Sequence, residues 1–325
     1  MKPKMEDVAK LAGVSKTTVS RVLNNRGYLS QKTIDNVNEA IKELNYRPNV
    51  VARQLLKQKT KLIGLVVPTI DNPFFGQLIA GLETKLFHYG FKVLLCNSLG
   101  DPAKEEKYLK DLLAHQVDGL IVGSHNRELK EYQQPHLPIV AVDTYINDDI
   151  PIITSDNYAG GRLATQLLID DGAKRIIHTN DKISNHGPFQ LRRQGYKDVM
   201  KESGLKSKIY TIEFTPDYDK RVNSIKKIFN ENPKVDGIFV SNDMDAVQVI
   251  TIAKELGYRI PEDLKIVGFD GTNTAKILAP DLTTIVQPID QIVEAVVYAL
   301  LGRINNYTVS LNTTFPVLLR RGKTA

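Results

Sequence analysis

Residues 5–24 read MEDVAKLAGVSKTTVSRVLN, and this stretch decides the first fold element. Ala9 is small where one helix must approach another closely. Gly13, four residues on, tolerates the positive φ that lets a helix stop and the chain turn. Ser15 is placed to cap a second helix through its hydroxyl. Val19, Val22 and Leu23 then recur at i, i+3 and i+4, giving that helix one apolar face. Lys16, Thr17, Thr18, Ser20 and Arg21 fall on the other face. Short polar and cationic side chains on an exposed helix suit the major groove of DNA. A plain helical hairpin with a solvated face is the competing reading, and the rest of the chain decides between them.

Charge supports the DNA reading. The chain of 325 residues carries a net charge of +6. Residues 1–61 hold 13 Lys and Arg against 5 Asp and Glu, and the remainder holds 30 against 32. The whole basic excess therefore lies in the first fifth, as expected of a basic DNA-binding head on a neutral body. Composition is otherwise that of a globular protein. No run of about 18 apolar residues predicts a membrane span, and MKPKMEDVAK lacks the apolar core of a signal peptide. Cys96, the only cysteine, excludes an internal disulfide and a zinc cluster; it fits a reducing cytoplasm and reads as a small buried hydrophobe.

Downstream of the helix pair, NRGYL (25–29) is a loop and Ser30 caps a third helix with Ile34, Val37, Ile41 and Leu44 on its apolar face. Asn45 and Pro48 end it. Arg26 and Tyr28 read either as phosphate contacts or as ordinary surface residues. NVVARQLLKQ (49–58) follows as a helix of about two turns, too short to be stable alone. Leu55 and Leu56 belong to no evident core there. A leucine beside Arg53 and Lys57 could wedge into a minor groove; a linker helix packed on the body is the alternative.

From Lys61 the texture changes to short apolar runs alternating with amphipathic helices: LIGLVV (62–67), KVLLC (92–96), GLIVG (119–123), PIVAV (138–142), RIIH (175–178), KIYTIEF (208–214), GIFVS (237–241), LKIVGF (264–269) and TTIV (283–286). Helices are predicted near 74–89, 103–116, 159–171, 189–202, 219–230, 243–256 and 289–304. Such βα units imply doubly wound parallel sheets, and the strands are too many for one. The echo of VDGLIV (117–122) in VDGIFV (235–240) points to two similar lobes with a ligand cleft beyond the carboxyl ends of the strands. Polar residues fall at those ends: Asn97, Ser124, Asp143, Asn242, Asp243, Asp270 and Gln287. Asp and Asn groups with an aromatic are how sugars are held. Phe74 and Phe75, opening the first body helix, are candidates for stacking on a sugar ring, although such residues also serve as core. Arg192 is either a forked donor to ligand oxygens or a surface arginine. AGGR (159–162) reads as a small-residue helix start. No GxSxG, P-loop, HExxH or GxGxxG occurs in the required setting, so no enzyme and no cofactor is expected.

Asp7-Val8-Ala9 through Arg21-Val22-Leu23-Asn24, with Tyr46 to Asn49 and Ala52-Arg53, resemble the LacI/GalR family of bacterial transcription regulators. The likeness continues through PTIDNPFF (68–75), QVDG (116–119), SDNYAGG (155–161), SND (241–243), IVGFD (266–270) and LTTIVQP (282–288), and covers essentially the whole chain. It implies an α/β protein with an all-α helix-turn-helix head at 1–48, a hinge at 49–60 and a two-lobed effector domain at 61–325 like a periplasmic binding protein. Lobe 1 is expected at about 61–157 and 289–314, lobe 2 at about 158–288 and 315–325. It implies that Lys16 and Thr17 read operator bases, that Ser20, Arg21 and Asn24 lie near phosphates or base edges, and that Leu55 is the minor-groove wedge. Phe74, Phe75, Asp143, Arg192, Asn242, Asp270 and Gln287 fall at effector positions. GYLS (27–30), NPFFGQL, KVLLCNS, SDNYAGG and GFDGT are similar to the branch governing sucrose operons in low-GC Gram-positive bacteria. Lys4 departs from the Ser or Thr that many members place as the first helix cap. LLRRGKTA (318–325) carries no leucine heptads, so a homodimer is expected. The expected partners are operator DNA and a sugar or sugar phosphate, with no membrane. Rival readings are a ribose or catabolite-control regulator of the same family, a solute-binding protein and, more distantly, a two-lobed enzyme.

Overall fold

The computed structural model describes residues 3–47, 59–114, 117–124, 126, 128–134, 137–182, 187–213 and 217–325. The hinge expected at 49–60, with Leu55, therefore lies largely outside the described residues.

Helices α1 (Met5–Leu11), α2 (Lys16–Leu23) and α3 (Gln31–Glu43) form the N-terminal unit. Gly13 has φ +65°, as the turn requires. The Ser15 and Ser30 hydroxyls accept from Thr18 N (3.1 Å) and Thr33 N (3.2 Å). Lys4 sits at the first cap, and the Asp7 carboxylate supplies what its side chain does not, accepting from Lys4 N at 2.7 Å. Val8, Ala9, Val19, Val22, Val37, Ala40 and Tyr46 bury a common core, with Leu23, Ile34, Ile41 and Leu44 packed around it. Val8, Ala40 and Tyr46 are core members that the sequence reading did not name as core; Tyr46 lies past the Asn45 turn at φ +47°, beyond helical spacing.

Residues 61–325 form a second compact unit built on two six-stranded sheets. In the first, β1 (Leu62–Val67), β2 (Lys92–Asn97), β3 (Gly119–Val122), β4 (Ile139–Val142) and β5 (Ile152–Ser155) are joined by β11 (Asn312–Phe315), all parallel, in the order 11-5-4-3-1-2. Helices α4 (Pro73–His88), α5 (Pro102–Ala114) and α11 (Ile289–Ile304) pack on it. The second sheet holds β6 (Ile176–Asn180), β7 (Lys208–Thr211), β8 (Gly237–Phe239), β9 (Lys265–Asp270), β10 (Thr283–Val286) and β12 (Leu318–Arg320), in the order 12-10-9-8-6-7. Only β12 is antiparallel within it. Its helices are α6 (Asn157–Asp170), α7 (Leu191–Glu202), α8 (Tyr218–Glu231), α9 (Asp243–Glu255) and α10 (Asn273–Leu278). Central strands such as GLIV and IVAV are buried throughout, as parallel strands covered on both faces must be.

The chain passes between sheets three times: after Ser155, after Val286 and after Phe315. β5, α10, β11 and β12 were not foreseen; IITS, NTTF and LLR are too short or too polar to stand out as strands. KIYTIEF forms a strand only over 208–211, and RIIH starts one that runs on to Asn180. Among the described residues no helix is long and apolar enough to cross a membrane.

AGGR does more than open a helix. A Cβ on Gly161 would overlap the backbone carbonyl of Arg192, and one on Gly195 that of Tyr158. α6 and α7 therefore meet backbone to backbone, and this contact sets where Arg192 stands.

Candidate functional site

Between the two sheets lies a cavity of about 310 Å³, just beyond the carboxyl ends of their strands. Phe74, Phe75, Asp143, Arg192, Asn242, Asp270 and Gln287, all seven effector candidates, line it. They come from both lobes. Asp143 follows β4, Asp270 ends β9 and Gln287 follows β10; Phe74 and Phe75 open α4, Asn242 caps α9, and Arg192 lies in the first turn of α7.

Arg192 is the centre of the polar network. Its Nε donates to Asn157 Oδ1 at 2.7 Å and its NH1 to the Ser241 carbonyl at 2.7 Å. NH1 lies 4.0 Å from Asp270 Oδ1, and the guanidinium carbon sits 3.5 Å from the Phe269 ring centroid. Only 6% of the residue is exposed, so it is no surface arginine. Burial lowers its pKa, and the nearby carboxylates of Asp270, Asp143 and Asp243 oppose that shift. A cation so deep requires such partners.

Asp143 Oδ1 accepts from Thr154 Oγ1 (2.7 Å) and Asn157 Nδ2 (3.0 Å). Asp270 Oδ1 accepts from Gln287 Nε2 (2.8 Å), and Gln287 Oε1 accepts from Ser155 Oγ (2.5 Å). The network thus threads two crossovers between the lobes, at 155–157 and at 287. Asp143 (φ +51°) and Asp270 (φ +113°) both hold backbone conformations rare for residues other than glycine; such strain concentrates where a side chain must be aimed. Burial pushes the Asp270 carboxyl up to about 8, against the opposing pull of Arg192.

Three strand-end candidates fall elsewhere. Ser124 belongs to a buried cluster in which it, Asn126 and Tyr132 donate to Glu105. Asp243 is a brace within lobe 2, accepting from Gly271 N (2.8 Å) and Thr284 Oγ1 (2.5 Å). Asn97 does not line the cavity. In their place stand Asn180, Lys182, Phe189, Glu213, Arg221 and Asp245, which sequence reasoning missed. Asn180 is fixed from behind: burial lowers the His178 pKa to about 3, so the ring is neutral, and Asn180 Nδ2 lies 3.4 Å from its Nε2. Phe189 carried a usable signal, an aromatic opening a helix like Phe74 and Phe75.

On the N-terminal unit, Lys16, Thr17 and Arg21 are exposed, and Thr18 and Ser20 are half-buried. Lys16 Nζ meets Glu6 Oε1 at 2.5 Å. Arg21 reaches the carbonyls of Arg26 (3.3 Å) and Tyr28 (3.4 Å), shaping the loop. Asn24 Nδ2 donates to the Ser20 carbonyl at 2.7 Å. Tyr28 is 95% exposed, leaving an aromatic ring wholly on the surface.

Two family models match. "Bacterial regulatory proteins, lacI family" covers residues 4–49, and "Periplasmic binding proteins and sugar binding domain of LacI family" covers residues 60–311. The sucrose operon repressor of Pediococcus pentosaceus is 45% identical over 327 residues, spanning 100% of both chains. The solved lac repressor dimer, bound to operator and the anti-inducer ONPF, is 26% identical with a TM-score of 0.87 over 100% of this chain and 99% of that one. A regulator from Alkaliphilus metalliredigens, solved with D-xylulofuranose, is 34% identical with a TM-score of 0.73, covering 82% of this chain and 99% of that one.

Proposed function

The chain belongs to the lacI family of bacterial regulatory proteins, and from that membership we propose that it is a dimeric, sequence-specific repressor of a sucrose-utilisation operon, released by a sugar held in the interlobe cavity. Two heads bind a pseudo-palindromic operator with half-sites about one helical turn apart. Lys16 and Thr17 meet base edges at the start of α2; Thr18, Ser20, Arg21, Asn24 and Tyr28 lie along the same face and its loop. Leu55 wedges the minor groove. The protein works where its operator lies, in the cytoplasm. It binds its sugar and returns it unchanged, as a switch and not an enzyme.

The observation that carries the effector reading is the convergence of seven residues, far apart in sequence, on one cavity. Their hydrogen bonds run through the crossovers that join the lobes. A ligand there contacts groups that any relative movement of the lobes must rearrange. An effector shifts such an equilibrium only by its differential affinity for the two arrangements. A coupling of about 1–3 kcal/mol lowers operator affinity about 5- to 150-fold.

Operator binding followed by fluorescence anisotropy, with sucrose, fructose and ribose titrated in, tests this. Tight binding to a palindromic site weakened by sucrose or fructose is the expected result. Release by ribose alone would make it a ribose regulator, and failure to bind any such site would overturn the repressor reading.

A further inference from the structure

The cations of the cavity are already engaged. Among the described residues five carboxyl groups line it, Asp143, Asp181, Glu213, Asp245 and Asp270, against the three cations Lys182, Arg192 and Arg221. Lys182 Nζ lies 3.2 Å from Glu213 Oε1, while Glu213 Oε2 takes Lys220 Nζ at 3.2 Å. Both lysines hold the Glu213 pKa below its usual value. Arg221 is ion-paired with Asp245, whose other oxygen accepts from Asn242 Nδ2 at 2.6 Å. Arg192 is divided among Asn157, Ser241, Asp270 and the Phe269 ring.

Two helix N-termini at the cavity, of the kind that hold anions elsewhere, are also taken. Asn72 caps α4 by accepting from Phe74 N at 2.7 Å, and Asn242 caps α9 by accepting from Asp245 N at 2.8 Å. The first turn of α9 carries two carboxylates of its own, which already answer the helix dipole.

Resting on the reading of this cavity as the effector site, we propose that the effector is an uncharged sugar and that the cavity rejects its phosphate esters. A phosphate ester brings a charge of about −1.5 to −2 at neutral pH. To find a cation it must draw Lys182 away from Glu213, or separate Arg221 from Asp245 and leave a buried carboxylate without its ion pair. Otherwise it lies among carboxyl groups whose neighbouring cations are already paired. A neutral sugar meets neither obstacle. Its hydroxyls donate to the carboxylate and amide oxygens, and Phe75 and Phe189 offer apolar walls.

The test is calorimetric titration of the full chain with sucrose, D-fructose, sucrose 6-phosphate and fructose 6-phosphate, repeated on Glu213→Gln. The expected result is that a neutral sugar binds at least about tenfold more tightly than its 6-phosphate. In Glu213→Gln, Lys182 and Lys220 lose their partner, and the gap should shrink about threefold or more through tighter phosphate binding. A phosphate ester that binds better than its parent overturns the proposal. A gap unchanged in Glu213→Gln overturns its electrostatic basis. Absence of heat in every arm removes the effector-site reading beneath it, a different failure from reversed preference.

Discussion

Asn157 holds Arg192 and Asp143 at once: Oδ1 accepts from Arg192 Nε at 2.7 Å, and Nδ2 donates to Asp143 Oδ1 at 3.0 Å. A single amide at the crossover from β5 to α6 thereby ties a lobe 2 cation to a lobe 1 carboxylate. Asn157→Ala leaves a buried N–H without its acceptor. Such a loss costs about 1–3 kcal/mol, so the urea midpoint should fall. Affinity for the effector sugar should drop tenfold or more, because both flanking groups lose their aim. Unchanged sugar affinity in calorimetry would show that Arg192 is positioned by Ser241 and Phe269 alone.

Gly161→Ala acts on the same guanidinium from the backbone side. The added methyl meets the Arg192 carbonyl, and neither helix can yield without moving the other. Overpacking of this kind costs about 1–3 kcal/mol. The variant should melt earlier and bind sugar more weakly. A variant with lowered melting temperature but intact sugar affinity would separate the α6–α7 contact from the site.

These two residues also mark where sequence reasoning reaches and where it stops. The βα alternation was legible because parallel strands buried on both faces are continuous apolar runs, as in LIGLVV and IVAV. Gly13, Ser15 and Ser30 were legible because turns and caps are local chemistry. The edge strands β11 and β12 were not, since NTTF is largely polar and LLR is only three residues long. Asn157 lay unnoticed inside SDNYAGG because its role depends on Arg192, 35 positions away. Asp243 and Ser124 misled for the converse reason: a polar strand end can face a brace inside its own lobe as readily as the cleft. Arg221 was missed because only the fold brings it to Asp245.

Lys16 starts α2 tied to Glu6, with the two side chains 59% and 53% exposed. Lys16 lowers the Glu6 pKa, chiefly through their hydrogen bond. An exposed pair of this kind is weak, yet under the proposed operator-reading role it must open before Lys16 can reach a base. Glu6→Gln removes the competing carboxylate and one negative charge beside the DNA. Operator affinity should rise about three- to tenfold at low salt and converge with the parent at high salt, where charge is screened. Anisotropy titrations across salt concentrations check this; affinity that falls in Glu6→Gln would mean the pair presents Lys16 to the groove.

Stability should depend on pH through Asp270. Its pKa rises from 3.8 to about 8 on folding, because burial disfavours the charged form more than Arg192 favours it. A carboxyl shifted this way stabilises the native state fully below the unfolded value near pH 4, and that contribution is lost as pH rises toward 8. Asp243, raised to about 6 by burial, acts in the same direction over a narrower window. His178 works oppositely: lowered from 6.5 to about 3, it contributes stability above pH 6.5 that is lost in acid. Asp270→Asn keeps the shape and abolishes only the first of these. The difference in unfolding free energy between variant and parent should therefore move in favour of the variant as pH rises from 5 to 8, by at most about 1.4 kcal/mol per pH unit. Urea unfolding at several pH values reads this directly, and His178 cancels in the comparison. A flat difference would mean that Arg192 keeps the Asp270 carboxylate ionised throughout, and that the cavity presents it to a ligand only as an acceptor.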